Sequence, residues 1–290
     1  MCRMSILIGA PYLNNQQLDA QVNHLKDMAQ GRPDFTHANL GGGPKWDQSQ
    51  KLIHGDGSGI YIKGDTEIHE RFSNAIYNIS KENILEQLPN QPTVSLMHAR
   101  FATSGNKDEI STHPFNLDHI VGVHNGFVKG IEKNNKSDSA VIMDVLNNHF
   151  TRYSSDNMDA LEQTIIRDIV AQSENYSTMN LILHIKGENK TVIICSYNKS
   201  KVESKERLEY NTMVIKKDGN VVYVASEDDE GSVLEDAKET IETKNHTVYV
   251  IDEETGEITE HKLDELEEIV EGESEEDSQE STDEAVAEAA

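Results

Sequence analysis

The feature that most constrains the fold of this chain is a series of short apolar runs with β-type character, separated by segments of helical periodicity. Nine candidate strands are too many for one small sheet, so we expect more than one sheet. The candidate strands are Met4–Ile8, Ser58–Ile62, Thr93–Met97, Ile120–His124, Asn180–Ile185, Thr191–Ser196, Thr212–Ile215, Asn220–Ala225 and His246–Ile251. The candidate helices are Asn15–Ala29, Glu67–Asn78, Lys81–Gln87, Ser137–Asn148 and Asp159–Ser173.

The order of these segments, with two consecutive helices in the middle and strands on both sides, is typical of antiparallel sheets that carry helices on their outer faces. Two hairpins fit this arrangement, Ile185–Thr191 and Ile215–Val221, because each turns at a polar segment that contains glycine. The sequence therefore predicts an α+β layered domain rather than a βαβ repeat.

Acidic residues are concentrated at the C-terminal end. The chain has 290 residues and a net charge of −26, of which residues 227–290 contribute −23. The nearly neutral remainder offers no basic field for phosphates, so nucleic acid is not an expected partner. From Leu263 onward the acidic sequence is typical of a disordered, solubilising segment. We therefore predict a domain over 2–262 and a disordered acidic tail over 263–290.

The sequence contains no run that approaches the roughly 20 apolar residues needed to cross a bilayer, and Ile6-Leu7-Ile8 is too short for a signal-peptide core. We therefore expect a cytoplasmic protein without membrane partners. Cys2 and Cys195 are too distant in sequence for a zinc-ligand pair and are expected as reduced thiols. Cys195 lies in an apolar run and is expected in the core.

Cys2 directly follows the initiator Met1 and is the first candidate for catalysis. Loss of Met1 would place a free α-amine and a thiol on one residue. An α-amine with a pKa of about 7.7–8.0 can accept the thiol proton without a separate histidine. A cysteine can also occupy position 2 without any function.

Two predicted strands end in polar segments with binding potential. His98–Gly105 contains Arg100, whose planar fork suits a carboxylate, and Thr103, whose hydroxyl can add a hydrogen bond. Val121–Gly126 ends in Asn125-Gly126, a strong turn signal that also offers two donors to an oxyanion. The alternatives are a surface arginine and a plain hairpin.

Ser137-Asp138-Ser139 precedes a candidate helix and is typical of an N-cap. Asp138 can cap that helix or pair with an ammonium group, and the two roles are compatible. Taken singly, each of these features has a structural explanation.

Together and in this order, these segments resemble the class II glutamine amidotransferase domain of the N-terminal nucleophile hydrolases. The resemblance covers about residues 2–226 and implies a four-layer αββα sandwich of two antiparallel sheets, in agreement with the order of elements. The matching segments are Met1-Cys2, His98–Gly105, His113-Pro114-Phe115, His124-Asn125-Gly126 and Ser137-Asp138-Ser139, with further similarity at Gly55–Gly59 and Val222–Glu227.

The resemblance implies the catalytic groups. Cys2, after loss of Met1, would attack the side-chain amide of glutamine and form a thioester, with its own α-amine as proton shuttle. Asn125 and the backbone N–H of Gly126 would form the oxyanion hole. Ammonia would leave, and water would then release glutamate.

The resemblance also implies the substrate-binding groups. Arg100, helped by Thr103, would hold the α-carboxylate of glutamine, and Asp138 would pair with its α-ammonium. Binding at these ends would position the amide for attack. No metal or cofactor is expected.

The ammonia acceptor is the part of the reaction that this chain leaves open. Long members of the family carry a second domain that consumes ammonia, whereas residues 227–290 are short and acidic. We therefore expect a separate acceptor synthase. The Met1-Cys2-Arg3 opening also resembles stand-alone members that cleave γ-glutamyl conjugates, so a hydrolase of another γ-glutamyl amide is the alternative. Residues 11–50 match no family segment.

Two further classes of protein compete with this interpretation. Four histidines, His98, His113, His119 and His124, lie near Asp118 in sequence and could bind zinc or iron. Their spacing contains no i, i+4 pair typical of a helical metal site. A non-catalytic interaction protein could retain the fold, but such a protein would be expected to have lost at least one site residue.

Overall fold

The computed structural model describes residues 2–40, 47–102, 111–132, 136–202, 204–228 and 232–270. Within these ranges, thirteen strands form two antiparallel sheets. The strands are β1 (Arg3–Gly9), β2 (Ser58–Lys63), β3 (Glu67–Phe72), β4 (Val94–Ala99), β5 (Phe115–Asn116), β6 (Ile120–Lys129), β7 (Asn175–Ile185), β8 (Lys190–Cys195), β9 (Val214–Asp218), β10 (Val221–Ala225), β11 (Glu239–Glu242), β12 (Thr247–Asp252) and β13 (Ile258–Lys262). The α-helices are α1 (Asn15–Gln30), α2 (Lys81–Leu85), α3 (Asp138–Phe150), α4 (Met158–Thr164) and α5 (Lys205–Asn211).

Buried apolar clusters arrange the sheets and helices in four layers. The first sheet has the order β11-β9-β10-β1-β4-β2-β3 and the second β13-β12-β8-β7-β6-β5. Between them, a buried cluster joins Ile6 of β1 to Val123 of β6. Two outer clusters join α1 to the first sheet and α3 to the second. The predicted α+β, four-layer αββα sandwich is therefore confirmed.

β1 is an interior strand of the first sheet, and all of its residues are buried. It pairs antiparallel with β10 on one side and β4 on the other. Because side chains alternate along a strand, Met4 and Ile6 face the second sheet, whereas Ser5 and Leu7 face α1.

The longer helices begin at side chains that satisfy their first backbone N–H groups. Asn14 and Gln17 form a capping box at the start of α1. Ser137 caps α3, because its Oγ accepts a hydrogen bond from the backbone N–H of Ala140 at 3.3 Å.

Among the described residues, no helix combines the length and apolar character that a membrane crossing requires.

All nine predicted strands occupy interior positions of the sheets, and both predicted hairpins are present as β7–β8 and β9–β10. The four strands that the sequence does not predict, β3, β5, β11 and β13, are the four sheet edges. The predicted helix over Glu67–Asn78 is accordingly wrong, since it contains β3 and a short 3-10 helix at Ile76–Asn78. The edge strands β3, β11 and β13 carry charged side chains and lack a continuous apolar run, and β5 has only two residues.

The packed structure extends past the boundary predicted at residue 262. Residues 264–270 are helical. Leu263, Leu266 and Val270 belong to the buried cluster that also contains α3 and the second sheet. The backbone N–H of Leu266 donates to Oε1 of Glu162 in α4 at 3.1 Å. The rest of the predicted tail, 271–290, lies outside the described residues.

Candidate active site

Cys2 lies at the N-terminal end of the interior strand β1, where the two sheets meet α3. The register of β1 with β4 places Arg3 opposite Ala99, so that Cys2 lies beside Arg100. By alternation, the Cys2 side chain faces the second sheet, as Met4 does. Cys2 is 9% exposed, and its Sγ lies 3.9 Å from the carbonyl oxygen of Phe101.

Asn125 connects the second sheet to Cys2. The backbone nitrogen of Cys2 donates a hydrogen bond to Oδ1 of Asn125 at 2.6 Å, although the two residues are 123 positions apart. This bond determines the orientation of the Asn125 amide, because only the oxygen can accept from a nitrogen donor. The Nδ2 group therefore points away from the Cys2 nitrogen and is a hydrogen-bond donor next to the thiol-bearing residue.

Gly126 occupies a position where no side chain fits. A Cβ at this residue would lie 1.8 Å from the carbonyl oxygen of Thr178 and 2.6 Å from Nε2 of His124. Gly126 also lines the cavity beside Cys2. The close approach of β7 therefore explains why glycine follows Asn125.

A single cavity brings together four of the sequence-predicted site residues, Cys2, Arg100, Gly126 and Asp138. Asn125 joins this group through its bond to Cys2, and Thr103 lies outside the described residues. The other cavity residues are Phe101, Ala102, Ser111, His113, His124, Ser137 and Ser139.

Arg100 directly follows β4, and both its backbone N–H and its carbonyl are hydrogen-bonded to the Gly55–Gly59 loop. Its N–H donates to the carbonyl oxygen of Gly57 at 2.9 Å, and its own carbonyl accepts from the N–H of Asp56 at 3.1 Å. Oδ2 of Asp56 in turn accepts from the N–H of Ala102 at 2.9 Å. The backbone that carries the guanidinium of Arg100 is thus held by hydrogen bonds, and the residue is only 6% exposed.

Asp138 is the first residue of α3, and Ser137 rather than Asp138 is the capping residue. Oδ2 of Asp138 accepts a hydrogen bond from the N–H of Val128 at 3.1 Å, which ties the carboxylate to β6. The N-terminal end of a helix favours a negative charge, so the carboxylate is well placed electrostatically. Asp138 lines the same cavity as the cationic Arg100, so the cavity contains one acidic and one basic side chain from the predicted site.

Two of the four clustered histidines, His113 and His124, line this cavity, and His98 packs against His113. The His98 and His113 rings are 4.2 Å apart, and the N–H of His124 donates to Nδ1 of His113 at 3.3 Å. Nδ1 of His124 is 2.9 Å from Oγ of Ser139. Burial lowers the pKa of all three histidines, most strongly for His98 and His113, and therefore favours their neutral forms.

These histidines do not form a metal centre. His119 is held elsewhere, since its backbone N–H donates to Oδ1 of Asn147 at 2.9 Å. Within the described ranges, no three His, Cys, Asp or Glu side chains are grouped so as to hold a metal ion.

The arrangement of two antiparallel sheets with helices on their outer faces is also found in solved structures of glutamine amidotransferases. No protein-family model matches the chain. Similar solved structures include a glutamine phosphoribosylpyrophosphate amidotransferase from B. subtilis, at 12% identity and a TM-score of 0.54, with 90% of this chain and 49% of that chain covered. A glutamine aminotransferase class-II domain protein from Silicibacter pomeroyi matches at 12% identity and a TM-score of 0.51, with 90% and 98% covered.

Among curated proteins, a glutamine–fructose-6-phosphate aminotransferase from Rhizobium leguminosarum bv. viciae is 28% identical over 115 residues. The match covers 37% of this chain and 19% of the relative. The chain thus spans only a fraction of the length of this relative. These similarities confirm the predicted resemblance to class II glutamine amidotransferase domains.

Sequence motifs miss several groups at the site. In the sequence Ser139 is recognisable only as part of a capping motif, although it lines the cavity and contacts His124. Arg3 and Glu227 form a buried ion pair directly behind Cys2. No local pattern could reveal a pair whose members stand at opposite ends of the domain sequence.

Proposed function

We propose that this protein hydrolyses the side-chain amide of glutamine to glutamate and ammonia, with Cys2 as nucleophile after loss of Met1. The observation that supports this most directly is the hydrogen bond from the Cys2 nitrogen to Oδ1 of Asn125 at 2.6 Å. In the proposed mechanism this bond would hold the α-amine of Cys2 beside an acceptor and the Asn125 amide next to the thiol.

The proposed reaction has two halves. The Cys2 thiol attacks the amide carbon, and its proton passes to the α-amine of Cys2. The oxyanion is stabilised by Nδ2 of Asn125 and the N–H of Gly126. The amine returns the proton to the leaving nitrogen, which departs as ammonia, and a γ-glutamyl thioester remains. Water attacks the thioester, gives a proton to the amine, and glutamate leaves as the thiol is restored.

Substrate binding is assigned to the two charged ends of the cavity. Arg100 binds the α-carboxylate of glutamine through a charge-assisted pair, with Thr103 as a proposed helper. Asp138 binds the α-ammonium group. Because a free amino acid carries one charge of each sign, the site matches it with one opposite charge at each end.

The ammonia is proposed to pass to a separate acceptor synthase. Another γ-glutamyl amide would present the same α-amino acid end to Arg100 and Asp138, so hydrolysis of such an amide is the alternative. Comparing glutamate release from glutamine and from γ-glutamyl anilide separates these two substrates.

The test is the intact mass of the untagged protein before and after reaction with 6-diazo-5-oxo-norleucine, together with glutamate release from glutamine. We expect a species without Met1 that gains one label on Cys2. Cys2→Ala should abolish both labelling and turnover, and Cys195→Ala, the matched control, should change neither. Burial raises the pKa of the Cys195 thiol to about 12 and keeps it unreactive. An unlabelled wild-type chain that retains Met1 and releases no glutamate would favour a non-catalytic interaction protein.

A further inference from the structure

The residue that follows the nucleophile is a completely buried arginine. Arg3 has no exposed surface, and its guanidinium forms an ion pair with Glu227, whose side chain is also buried. Nη1 of Arg3 donates to the carbonyl oxygen of Tyr210 at 3.3 Å. The guanidinium carbon lies 3.6 Å from the centre of the Tyr210 ring and 5.4 Å from that of Phe35.

Stability alone does not account for this arrangement. Removing a guanidinium and a carboxylate from water costs several kcal/mol for each ion, and apolar residues of similar volume are often as stabilising as a buried pair. What an arginine adds is geometry, because its planar fork fixes direction and its face stacks on aromatic rings. We therefore interpret the ion pair as fixing the position of the backbone at Arg3.

Hydrogen bonds next to Arg3 continue the pairing of β1 with β10 to the end of the first sheet. Beyond the last β1–β10 pair, Ser5 with Ala225, the N–H of Ser226 donates to the carbonyl oxygen of Met4 at 3.1 Å. The N–H of Met4 donates to Oγ of Ser226, also at 3.1 Å. Glu227, the residue after Ser226, forms the ion pair with Arg3. The contacts between the two strand ends therefore continue up to the residue next to Cys2.

Side-chain alternation places Arg3 and Cys2 on opposite faces of the first sheet. Arg3 faces the layer that contains Phe35 and Tyr210, whereas Cys2 faces the second sheet. Once Met1 is lost, Cys2 is the chain terminus, and chain ends fray unless they are tied down. The bond to Asn125 holds its nitrogen, and Arg3 holds the strand immediately after it, so the rotation of the strand at Arg3 contributes to the direction of the thiol.

We propose that Arg3, held by Glu227 and Tyr210, is a positioning residue for Cys2. This inference rests on the proposed function, since it concerns how the nucleophile meets the amide carbon. Attack requires reacting atoms about 3–3.5 Å apart, and a displacement of about 1 Å can reduce the rate about a hundredfold.

The test uses Arg3→Lys and Glu227→Gln, with Glu253→Gln as the matched control. Glu253 belongs to a second buried pair, with Oε1 at 2.6 Å from Nδ1 of His184. Because His184 pairs with Val121, four residues before Asn125, that pair lies roughly 13 Å along the strand from the site. Intact mass first establishes that Met1 is removed in every variant.

Two readouts should move in opposite directions in the Arg3 and Glu227 variants. The kcat for glutamate release should fall about ten- to hundredfold with KM changed less than about twofold, because Arg3 does not contact the substrate. Alkylation of Cys2 by iodoacetamide should become at least about threefold faster, since the freed strand end exposes the thiol. Cys195 in the same sample should remain unlabelled, and Glu253→Gln should match the wild type in both readouts.

The outcomes separate the two proposals. Wild-type alkylation and kcat in both variants would overturn the positioning role, as would a parallel rise in Cys195 labelling, which signals general loosening. If the wild type releases no glutamate while the alkylation contrast persists, the proposed function fails and the positioning role stands. Should Arg3→Lys not fold, Glu227→Gln decides the question, because it preserves the shape of the side chain.

Discussion

At the scale of single residues, the candidate site combines one cation and one anion on separately braced backbones. The backbone of Arg100 is held by Asp56 and Gly57, and Asp138 is tied to β6 through Val128. Each group has backbone contacts of its own and can be altered alone, and in the proposed roles the effect of either change is on substrate binding.

We predict that Arg100→Lys raises the KM for glutamine about ten- to hundredfold. Lysine keeps the charge but loses the fork, and a hydrogen bond to a charged group contributes about 1.5–3 kcal/mol. Steady-state glutaminase assays measure the effect. Arg152→Lys, at an exposed position far along the chain, is the control and should leave KM unchanged. An unaltered KM in Arg100→Lys would remove the assigned role.

The residues that sequence motifs identify are those whose chemistry is local. Asn125-Gly126 follows a strand as a visible pair, and the cavity contains Gly126 as expected. Arg3 and Glu227 escape detection because an arginine at the start of a strand and a glutamate after another each look like solvent-exposed charges. Only the pairing of β1 with β10 brings them together.

At the scale of elements, burial decides what the sequence reveals. The interior strands have apolar runs because both of their faces are covered, and these runs predict them. The edge strand β3 has only intermediate or exposed residues, and its sequence Glu67–Phe72 resembles a polar helix. The helical residues 264–270 are not predicted for a different reason. Leu263, Leu266 and Val270 are buried, but the acidic residues between them make the segment resemble a disordered tail.

We predict that Leu266→Ala lowers the free energy of unfolding by about 2–4 kcal/mol, because Leu266 is fully buried in the cluster beneath the second sheet. Ile269→Ala, in the same helical turn but 37% exposed, should cost less than about 0.5 kcal/mol. Urea denaturation of both variants provides the comparison. Equal, negligible effects would show that residues 264–270 do not pack in solution.

At the scale of the whole molecule, buried neutral histidines make folding sensitive to acid. Burial holds the pKa of His54, His98 and His113 well below the usual value near 6.5. The unfolded chain therefore binds more protons than the folded one below about pH 6.5, and the stability present above that pH is lost as the pH falls. Carboxylates with lowered pKa, such as Glu253, lose their contribution only at lower pH.

We predict that the free energy of unfolding decreases between pH 7 and pH 5, by up to about 1.4 kcal/mol per pH unit for each such histidine. His98→Leu should reduce the slope by about one proton. This variant is the cleanest choice, because neither ring nitrogen of His98 has a hydrogen-bond partner among the described residues. Urea titrations at several pH values give the slope, and a flat profile in the wild type would contradict the prediction.

The position of β1 between β4 and β10 also has a consequence for biosynthesis. Because β1 pairs with β10, it cannot complete its sheet until β10, with Ala225 opposite Ser5, has been made. At translation rates of about 5–20 residues per second, that interval is roughly ten to forty seconds. During it Cys2 is not yet covered by the completed sheet. The proposed loss of Met1 would therefore have time to precede the burial of Cys2 against Asn125.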